Sequence, residues 1–226
     1  MNLFACYAAY VRRNSTMPYN YKTTGFVESD FYNLDGFTVN AGVWSYTWEL
    51  IEGGDSNPGV ARYSVFGSVG TDTPVTVRRD APLHLTGSTT TAISLVKIPV
   101  LSTAADEIAV QVGILSLSDV ADGIFFVYDR LNLGANWYVR TRNGGSTTTT
   151  DTGIAVSTGW VGLQTISTPT SVTFWVDGAQ VATHTTNIPT VGYQACRTTQ
   201  VAYTSEEKYV HLDYASIKQD LATPRA

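Results

Sequence analysis

The stretch from residue 122 to residue 190 constrains the fold more than any other part of this chain. Its residues alternate in character: Trp137 and Val139 fall on one side of an extended segment, and Arg140 and Arg142 fall on the other. Successive side chains of a β-strand point to opposite faces of the sheet, so a period of two indicates a strand. The stretch therefore predicts β-structure with one apolar and one polar face.

Turn signals divide this stretch into strands. Asn143-Gly144-Gly145 and Asp177-Gly178 each stand between two β-rich runs, and glycine accepts the positive φ that tight hairpins require. In residues 124–129 both alternating sets are mainly apolar, which predicts a strand covered on both faces. Similar patterns recur through residues 26–218 and predict about a dozen short strands in a two-sheet β-sandwich.

Several motifs occur here in a fixed order. They are an NWYV strand, a Gly-Gly turn, a DTGIAV segment, a GW pair, the run VTFWVDGAQVATHTTNIP and a closing YVHLDYASI strand. This order resembles the concanavalin-A-like, laminin-G-like jelly-roll superfamily. The resemblance implies an all-β fold, a two-sheet antiparallel jelly-roll sandwich over residues 26–218. This fold hosts lectins, glycosidases, adhesion modules and virion proteins, so it leaves the function open.

Composition narrows the classes of partner. Charged residues make up 15% of the chain, against about 25% in an average soluble domain. A surface poor in charge and rich in threonine suits a protein that packs into an assembly or faces sugars. The net charge of −5 and the lack of a run of basic residues predict no nucleic-acid partner.

No apolar run approaches the roughly 18 residues of a membrane span, so no membrane partner is expected. Residues 2–11 are apolar, but Arg12 and Arg13 follow them, whereas a secretory signal carries its charges first. We therefore expect no signal peptide. Cys6 and Cys196 are too few for a disulfide framework, and the sequence favours two reduced thiols over a pair.

Residues 1–25 differ in pattern from the rest of the chain. Leu3, Phe4, Tyr7 and Tyr10 fit one helical face. Such a stripe either packs on its own domain or docks on another chain, and on a free monomer it would be a solubility liability. We predict an assembly arm over residues 1–25, a polar tail over 219–226, and a homo-oligomer, most simply a trimer.

Aromatic residues supply the carbohydrate-binding candidates. Rings along a strand can stack on sugar faces, although large apolar side chains more often fill the core. The five candidates are Trp44, Tyr46, Trp48, Trp137 and Trp160.

Catalytic chemistry is not predicted. Glycosidases that share this fold carry a Glu-x-Asp-x-(x)-Glu strand, and the nearest match is Glu28-Ser29-Asp30 followed by Asn33. An amide in place of the second glutamate can act neither as general acid nor as nucleophile. We therefore expect a non-enzymatic protein.

Metal ligands and cofactors are not predicted either. Asp119, Asp122 and Asp129 are weak Ca²⁺ candidates without the density of a calcium loop. His84, His184 and His211 lack the spacing of a zinc site, and no cofactor is expected.

The sequence is rich in threonine, serine and glycine, and in this respect it is most similar to structural proteins of tailed bacteriophages. The main hypothesis is an auxiliary capsid (decoration or cement) protein, assembled in the host cytoplasm and carried on the virion among other capsid or tail proteins. The alternative is a lectin-like carbohydrate-binding module, or a tail receptor-binding protein that recognises host glycans.

Overall fold

The computed structural model describes the backbone of residues 24–29, 37–41, 46–51, 60–65, 74–79, 82–116, 122–202 and 208–221. Side chains are described for residues 74–78, 82–116, 122–199 and 208–220. Residues 1–23 of the predicted arm and most of the tail lie outside these ranges.

Sixteen strands make up the described secondary structure, where the alternation had indicated about a dozen. They are β1 (Thr24–Ser29), β2 (Phe37–Ala41), β3 (Tyr46–Ile51), β4 (Val60–Val65), β5 (Pro74–Arg79), β6 (Leu83–His84), β7 (Ser88–Lys97), β8 (Glu107–Leu115), β9 (Gly123–Asp129), β10 (Gly134–Asn143), β11 (Ser146–Ala155), β12 (Trp160–Ser167), β13 (Val172–Val176), β14 (Ala179–His184), β15 (Val191–Ala202) and β16 (Lys208–Leu221).

The strands form two antiparallel sheets of eight strands each. The first sheet has the order β14-β13-β12-β7-β16-β4-β3, and β1 pairs with β16. The second sheet has the order β11-β10-β9-β8-β15-β5-β2, and β6 pairs with β15. This arrangement confirms the predicted all-β sandwich. The strands that the structure describes run from Thr24 to Leu221.

One apolar core fills the space between the sheets. From the second sheet it takes alternate residues of β9, including Phe126 and Tyr128, and from the first sheet residues such as Val96, Phe174 and Val210. The rings of Phe126 and Phe174 meet edge to face across the core, with their centroids 5.5 Å apart. Below, the inner face of a sheet is the one toward this core, and the outer face is the opposite one.

Both predicted hairpins form. Gly144 and Gly145 have φ values of 56° and 83°, and Asp177 and Gly178 have values of 49° and 83°. Positive φ at both central residues defines the type I′ turn, whose twist matches that of the flanking strands. This is why these dipeptides predicted the turns from sequence alone.

Strand β9 is covered on both faces, as its composition predicted. Phe125 and Val127, each 1% exposed, lie on the outer face in a small cluster with Leu115 and Ala195. Val176, Val210 and Leu212 are also buried, and Trp175 is partly buried on the outer face of the first sheet.

Candidate functional site

Of the five predicted carbohydrate-binding aromatics, the structure describes the side chains of two, Trp137 and Trp160. Trp44 lies outside the described residues, and the side chains of Tyr46 and Trp48 in β3 are not described. Trp137 is 1% exposed and packs in the core near Tyr128. The prediction was therefore wrong for Trp137, because the alternation that puts Arg140 outside puts the tryptophan inside.

Trp160 lies on the outer face of the first sheet and is partly exposed. It pairs with Lys97 of β7, which pairs in turn with His211 of β16. Lys97 stands between the core residues Val96 and Ile98 in sequence, so this row of side chains points away from the core. Beyond His211 the register continues to Arg62 and Glu49 of β4 and β3.

Three rings and one ammonium group lie close together in and beside this row. The ring centroids of Trp160 and His211 are 6.2 Å apart, and Tyr209 stacks on His211 at 5.4 Å with an interplanar angle of 27°. The Lys97 Nζ atom lies 5.9 Å from the Trp160 ring centroid. We call Trp160, Tyr209, His211 and Lys97 the aromatic platform. Such rings offer apolar faces to a sugar, and the ammonium group can donate hydrogen bonds to its hydroxyls.

A second tryptophan, Trp175, is also partly exposed on this outer face. It pairs with Gln164, which stands opposite Ile93 of β7, and its Nε1 atom donates a hydrogen bond to the Thr173 Oγ1 atom at 3.0 Å. Four strand residues separate the rows of Ile93 and Lys97, or about 13 Å. Trp175 is therefore outside the platform and provides a control for it.

The outer face of the second sheet carries a different group of side chains, which sequence reasoning missed. One row runs from Arg78 of β5 through Ala195, Gly113 and Phe125 to Arg140 of β10. The adjacent row joins Arg197 to Gln111, Val127 and Tyr138. Arg142 follows Arg140 on the same face of β10. We call Arg78, Arg197, Gln111, Arg140 and Arg142 the arginine face.

These side chains are half-buried and held by nearby aromatic and hydroxyl groups. The Arg78 guanidinium lies over the Tyr193 ring, 5.1 Å from its centroid, and the Arg140 Nε atom donates a hydrogen bond to the Thr149 Oγ1 atom at 3.1 Å. Burial lowers the pKa of Arg140, the negative charge of Asp129 opposes this effect, and the positive charge of Arg142 acts in the same direction as burial. The alternation of Arg140 and Arg142 was visible in sequence, but their relation to Arg78 and Arg197 depends on the sheet register.

Carboxylates lie at one end of the same sheet. The backbone amide of Gly153 and the amide group of Asn136 donate hydrogen bonds to Asp151 and lower its pKa. Burial raises the pKa of Glu107, although the Arg130 guanidinium, 3.8 Å away, opposes this effect. The Glu107 side chain is only 4% exposed, so it is poorly placed to reach a bound sugar.

Comparison with known proteins identifies the family. The family model described as SO2946-like, C-terminal domain, matches residues 67–212. The chain belongs to this SO2946-like family. The crystal structure of the protein of unknown function SO2946 from Shewanella oneidensis MR-1 is 13% identical, covers 97% of this chain and 96% of its own, and superposes with a TM-score of 0.63. No curated protein matches the chain.

Other solved structures share the fold of this SO2946-like chain. A Bacillus licheniformis β-glucanase is 13% identical, with coverage of 85% of this chain and 97% of its own and a TM-score of 0.55. The binding domain of botulinum neurotoxin DC in complex with SialylT is 8% identical, with coverage of 84% and 43% and a TM-score of 0.52. These neighbours confirm the expected jelly-roll fold, and they include both a glycosidase and a binding domain.

The weak calcium hypothesis fails for its two described residues. Asp122 and Asp129 flank opposite ends of β9, and seven residue steps of a strand span about 23 Å. The Asp122 Oδ1 atom accepts a hydrogen bond from the Gly144 backbone amide at 2.6 Å, and the Asp129 carboxylate accepts hydrogen bonds from Asn132. Asp119 lies outside the described residues. Among the residues that were described, no group of three or more His, Cys, Asp or Glu side chains could hold a metal ion.

The remaining sequence-derived candidates have mixed outcomes. Glu28 belongs to β1, but its side chain is not described, and neither Asp30 nor Asn33 lies within the described ranges. Cys196 is buried in the core, and Cys6 lies outside the described part of the chain. None of the described residues belongs to a helix that is long and apolar enough to cross a membrane.

Proposed function

We propose that this SO2946-like chain is a carbohydrate-binding module that stacks a sugar ring on the aromatic platform. The observation that carries the proposal is the cluster of the Trp160, His211 and Tyr209 rings on an outer sheet face, in which His211 contacts both of the other rings. Rings held by sheet register lose little conformational freedom on binding, so the contact with the apolar face of a sugar is not offset by a large ordering cost.

The lysine of the platform adds polar recognition. Lys97 lies beside Trp160 in the same row, so a sugar stacked on the indole would bring its hydroxyl groups within reach of the ammonium group. A few polar groups around an apolar surface are the usual composition of a small-molecule site. The glycosidase and the binding domain among the structural neighbours support a carbohydrate ligand by analogy of fold only.

The test compares two tryptophans of the same outer face. Trp160→Ala should weaken binding of neutral oligosaccharides about tenfold or more, as loss of a stacking contact of at least about 1.4 kcal/mol implies. Trp175→Ala should leave the affinity unchanged. Titration calorimetry after a glycan-array screen measures both. Equal losses in the two variants, or no loss in Trp160→Ala, would exclude the platform as the site.

A second proposal concerns location. We infer from the low content of charged residues, 15% of the chain, and from the apolar pattern of residues 1–25 that the protein is carried on a bacteriophage particle as a symmetric oligomer. A chain shortened to begin at Thr24 should then fold with nearly unchanged thermal stability but fail to bind particles that lack the native protein. Normal binding would show that Leu3, Phe4, Tyr7 and Tyr10 are not the attachment segment.

A further inference from the structure

We propose that the arginine face is a second binding site, on the opposite side of the sandwich from the aromatic platform, and that it takes the carboxylate groups of an acidic saccharide. The proposal does not depend on the platform, because the two groups of residues belong to the outer faces of different sheets.

The register of the second sheet builds the site. Arg78 and Arg197 stand on the adjacent strands β5 and β15, and Arg140 and Arg142 stand together on β10. Three strand spacings, or about 14 Å, separate β15 from β10. Two pairs of arginines therefore flank the central strands β8 and β9.

The residues between the two pairs keep the sheet surface low. Gly113 and Ala195 lie next to each other in the row that joins Arg78 to Arg140. A Cβ atom on Gly113 would lie 2.4 Å from the Ile124 carbonyl oxygen, so a larger residue does not fit there. Phe125 completes the row and is buried there with Leu115 and Val127. The result is a closely packed apolar strip between two pairs of cationic side chains, and a saccharide would lie along this strip against the guanidinium groups.

Hydrogen-bonding groups in this region have no partner within the described part of the chain. They are the buried Nε donors of Arg78 and Arg142 and the buried Oε1 acceptor of Gln111. Buried polar atoms are nearly always hydrogen-bonded in folded proteins, so we infer that a ligand completes these three atoms, which the side chains around them must uncover on binding. The ligand must supply acceptors for the Nε–H groups of Arg78 and Arg142 and a donor for the Oε1 atom of Gln111. An acidic sugar does so, because its carboxylate accepts from guanidinium groups and its hydroxyl can donate to Gln111.

Charge supports an anion at this place. Acidic residues outnumber basic residues 19 to 14 in the whole chain, so four arginines on one sheet face are a local departure from the overall balance. The nearby carboxylates of Asp129 and Asp151 already accept hydrogen bonds from Asn132 and Asn136. Arginine suits a carboxylate because its planar fork can bind both oxygens at once.

Nucleic acid is the other polyanion to consider. A duplex or single strand is held by many phosphate contacts along a long basic surface, and a net charge of −5 opposes approach of the strand. A phosphodiester backbone also offers no donor for Gln111 at the position where a sugar hydroxyl would. The observations therefore favour the acidic saccharide.

The experiment measures binding of the full chain to four probes by titration calorimetry. They are an oligouronate, a neutral oligosaccharide of equal length, inorganic sulfate and a single-stranded oligonucleotide. The oligouronate should bind at least about tenfold more tightly than the other three, with an affinity that falls as salt increases. Tighter binding of the oligonucleotide, or equal binding of the acidic and neutral sugars, would overturn the proposal.

Variants locate the binding. Arg78→Gln and Arg142→Gln should each weaken oligouronate binding about tenfold or more, and Arg78→Lys should weaken it although the charge is kept, because the fork is lost. Lys218→Gln removes a cation from the other sheet and should leave the affinity for the oligouronate unchanged. Unchanged affinity in both glutamine variants would overturn the proposal. If a glutamine variant fails to fold, the Arg78→Lys variant and the comparison of the four probes still test the proposal.

Discussion

The imidazole of His184 joins the two sheets through the hydroxyl of Thr141. His184 is on β14 of the first sheet and Thr141 is on β10 of the second, and the His184 Nδ1 atom lies 3.0 Å from the Thr141 Oγ1 atom. The Thr141 hydroxyl donates its proton to the Thr186 carbonyl oxygen at 2.9 Å, so it accepts from the imidazole. Nδ1 therefore carries the proton, and Nε2 accepts a hydrogen bond from Thr150 at 3.0 Å.

Stability should depend on pH through His184. Burial lowers its pKa from the ordinary value of 6.5, so below that pH the unfolded chain binds a proton that the folded chain resists. The free energy of unfolding should therefore fall as the pH falls below about 6.5, by at most about 1.4 kcal/mol per pH unit for one proton. Urea denaturation between pH 5 and pH 8 measures this dependence.

The matched controls are His184→Gln and His84→Gln. The first variant should lose part of the pH dependence while also losing stability at neutral pH, because Thr141 and Thr150 lose a buried partner. The second variant replaces an exposed histidine, and its free energy of unfolding should depend on pH as that of the unaltered chain does. An unchanged pH dependence in His184→Gln would show that another group is responsible.

The outer-face cluster of β9 should be energetically important. Phe125 is 1% exposed and packs with Leu115, Val127 and Ala195. Phe125→Ala should lower the free energy of unfolding by about 3–5 kcal/mol, because it removes buried surface and leaves a cavity. Leu131→Ala, at a site that is 62% exposed, should stay within about 0.5 kcal/mol. A loss below about 1 kcal/mol for Phe125→Ala would show that the cluster is mobile.

Local patterns predicted much of this fold, because they act over a few residues. Alternation along β10 and the Asp177-Gly178 turn depend only on strand geometry and on allowed φ values. The same alternation predicts a buried Trp137, because this residue shares a face with Val139 and not with Arg140. By that pattern Trp137 is a core residue and not a candidate for sugar binding.

The sites themselves depend on long-range pairing. Lys97, Trp160 and His211 become neighbours only because β7 pairs with β12 on one side and with β16 on the other. Arg78 and Arg140 share a row only through the three strands between them. Pairing of distant strands follows from the packing of the whole sandwich, and no single segment of the sequence contains it.

Hydrolysis of β-glucans is expected to be undetectable. The described carboxyl group with a raised pKa, Glu107, has a side chain that is only 4% exposed, and Asp129 is held by hydrogen bonds from Asn132. A general acid must reach the glycosidic oxygen, and its partner carboxylate must reach the sugar ring or a water. A reducing-sugar assay with purified protein checks this. Release of sugar that disappears in Glu107→Gln, Glu28→Gln or Asp30→Asn would establish an enzyme.

Gly113 should be among the glycines least tolerant of substitution. Its φ is 151°, and a Cβ atom there would lie 2.4 Å from the Ile124 carbonyl oxygen and 2.8 Å from the Phe125 Cα atom. Both contacts are with backbone atoms, which cannot move without separating β8 from β9. Gly113→Ala should therefore lower the free energy of unfolding by about 1–3 kcal/mol from overpacking, in addition to the cost of placing alanine at positive φ.

Gly87→Ala measures separately the cost of placing alanine at positive φ. Gly87 also has a positive φ, 73°, but a Cβ atom on it would meet nothing within 4 Å. Its loss should be limited to backbone strain, about 1 kcal/mol. Thermal and urea denaturation of both variants give the difference, which measures how tightly β8 and β9 pack beneath the arginine face. Equal losses in the two variants would mean that the sheet yields at Gly113, and that the apolar strip between the arginine pairs is not rigid.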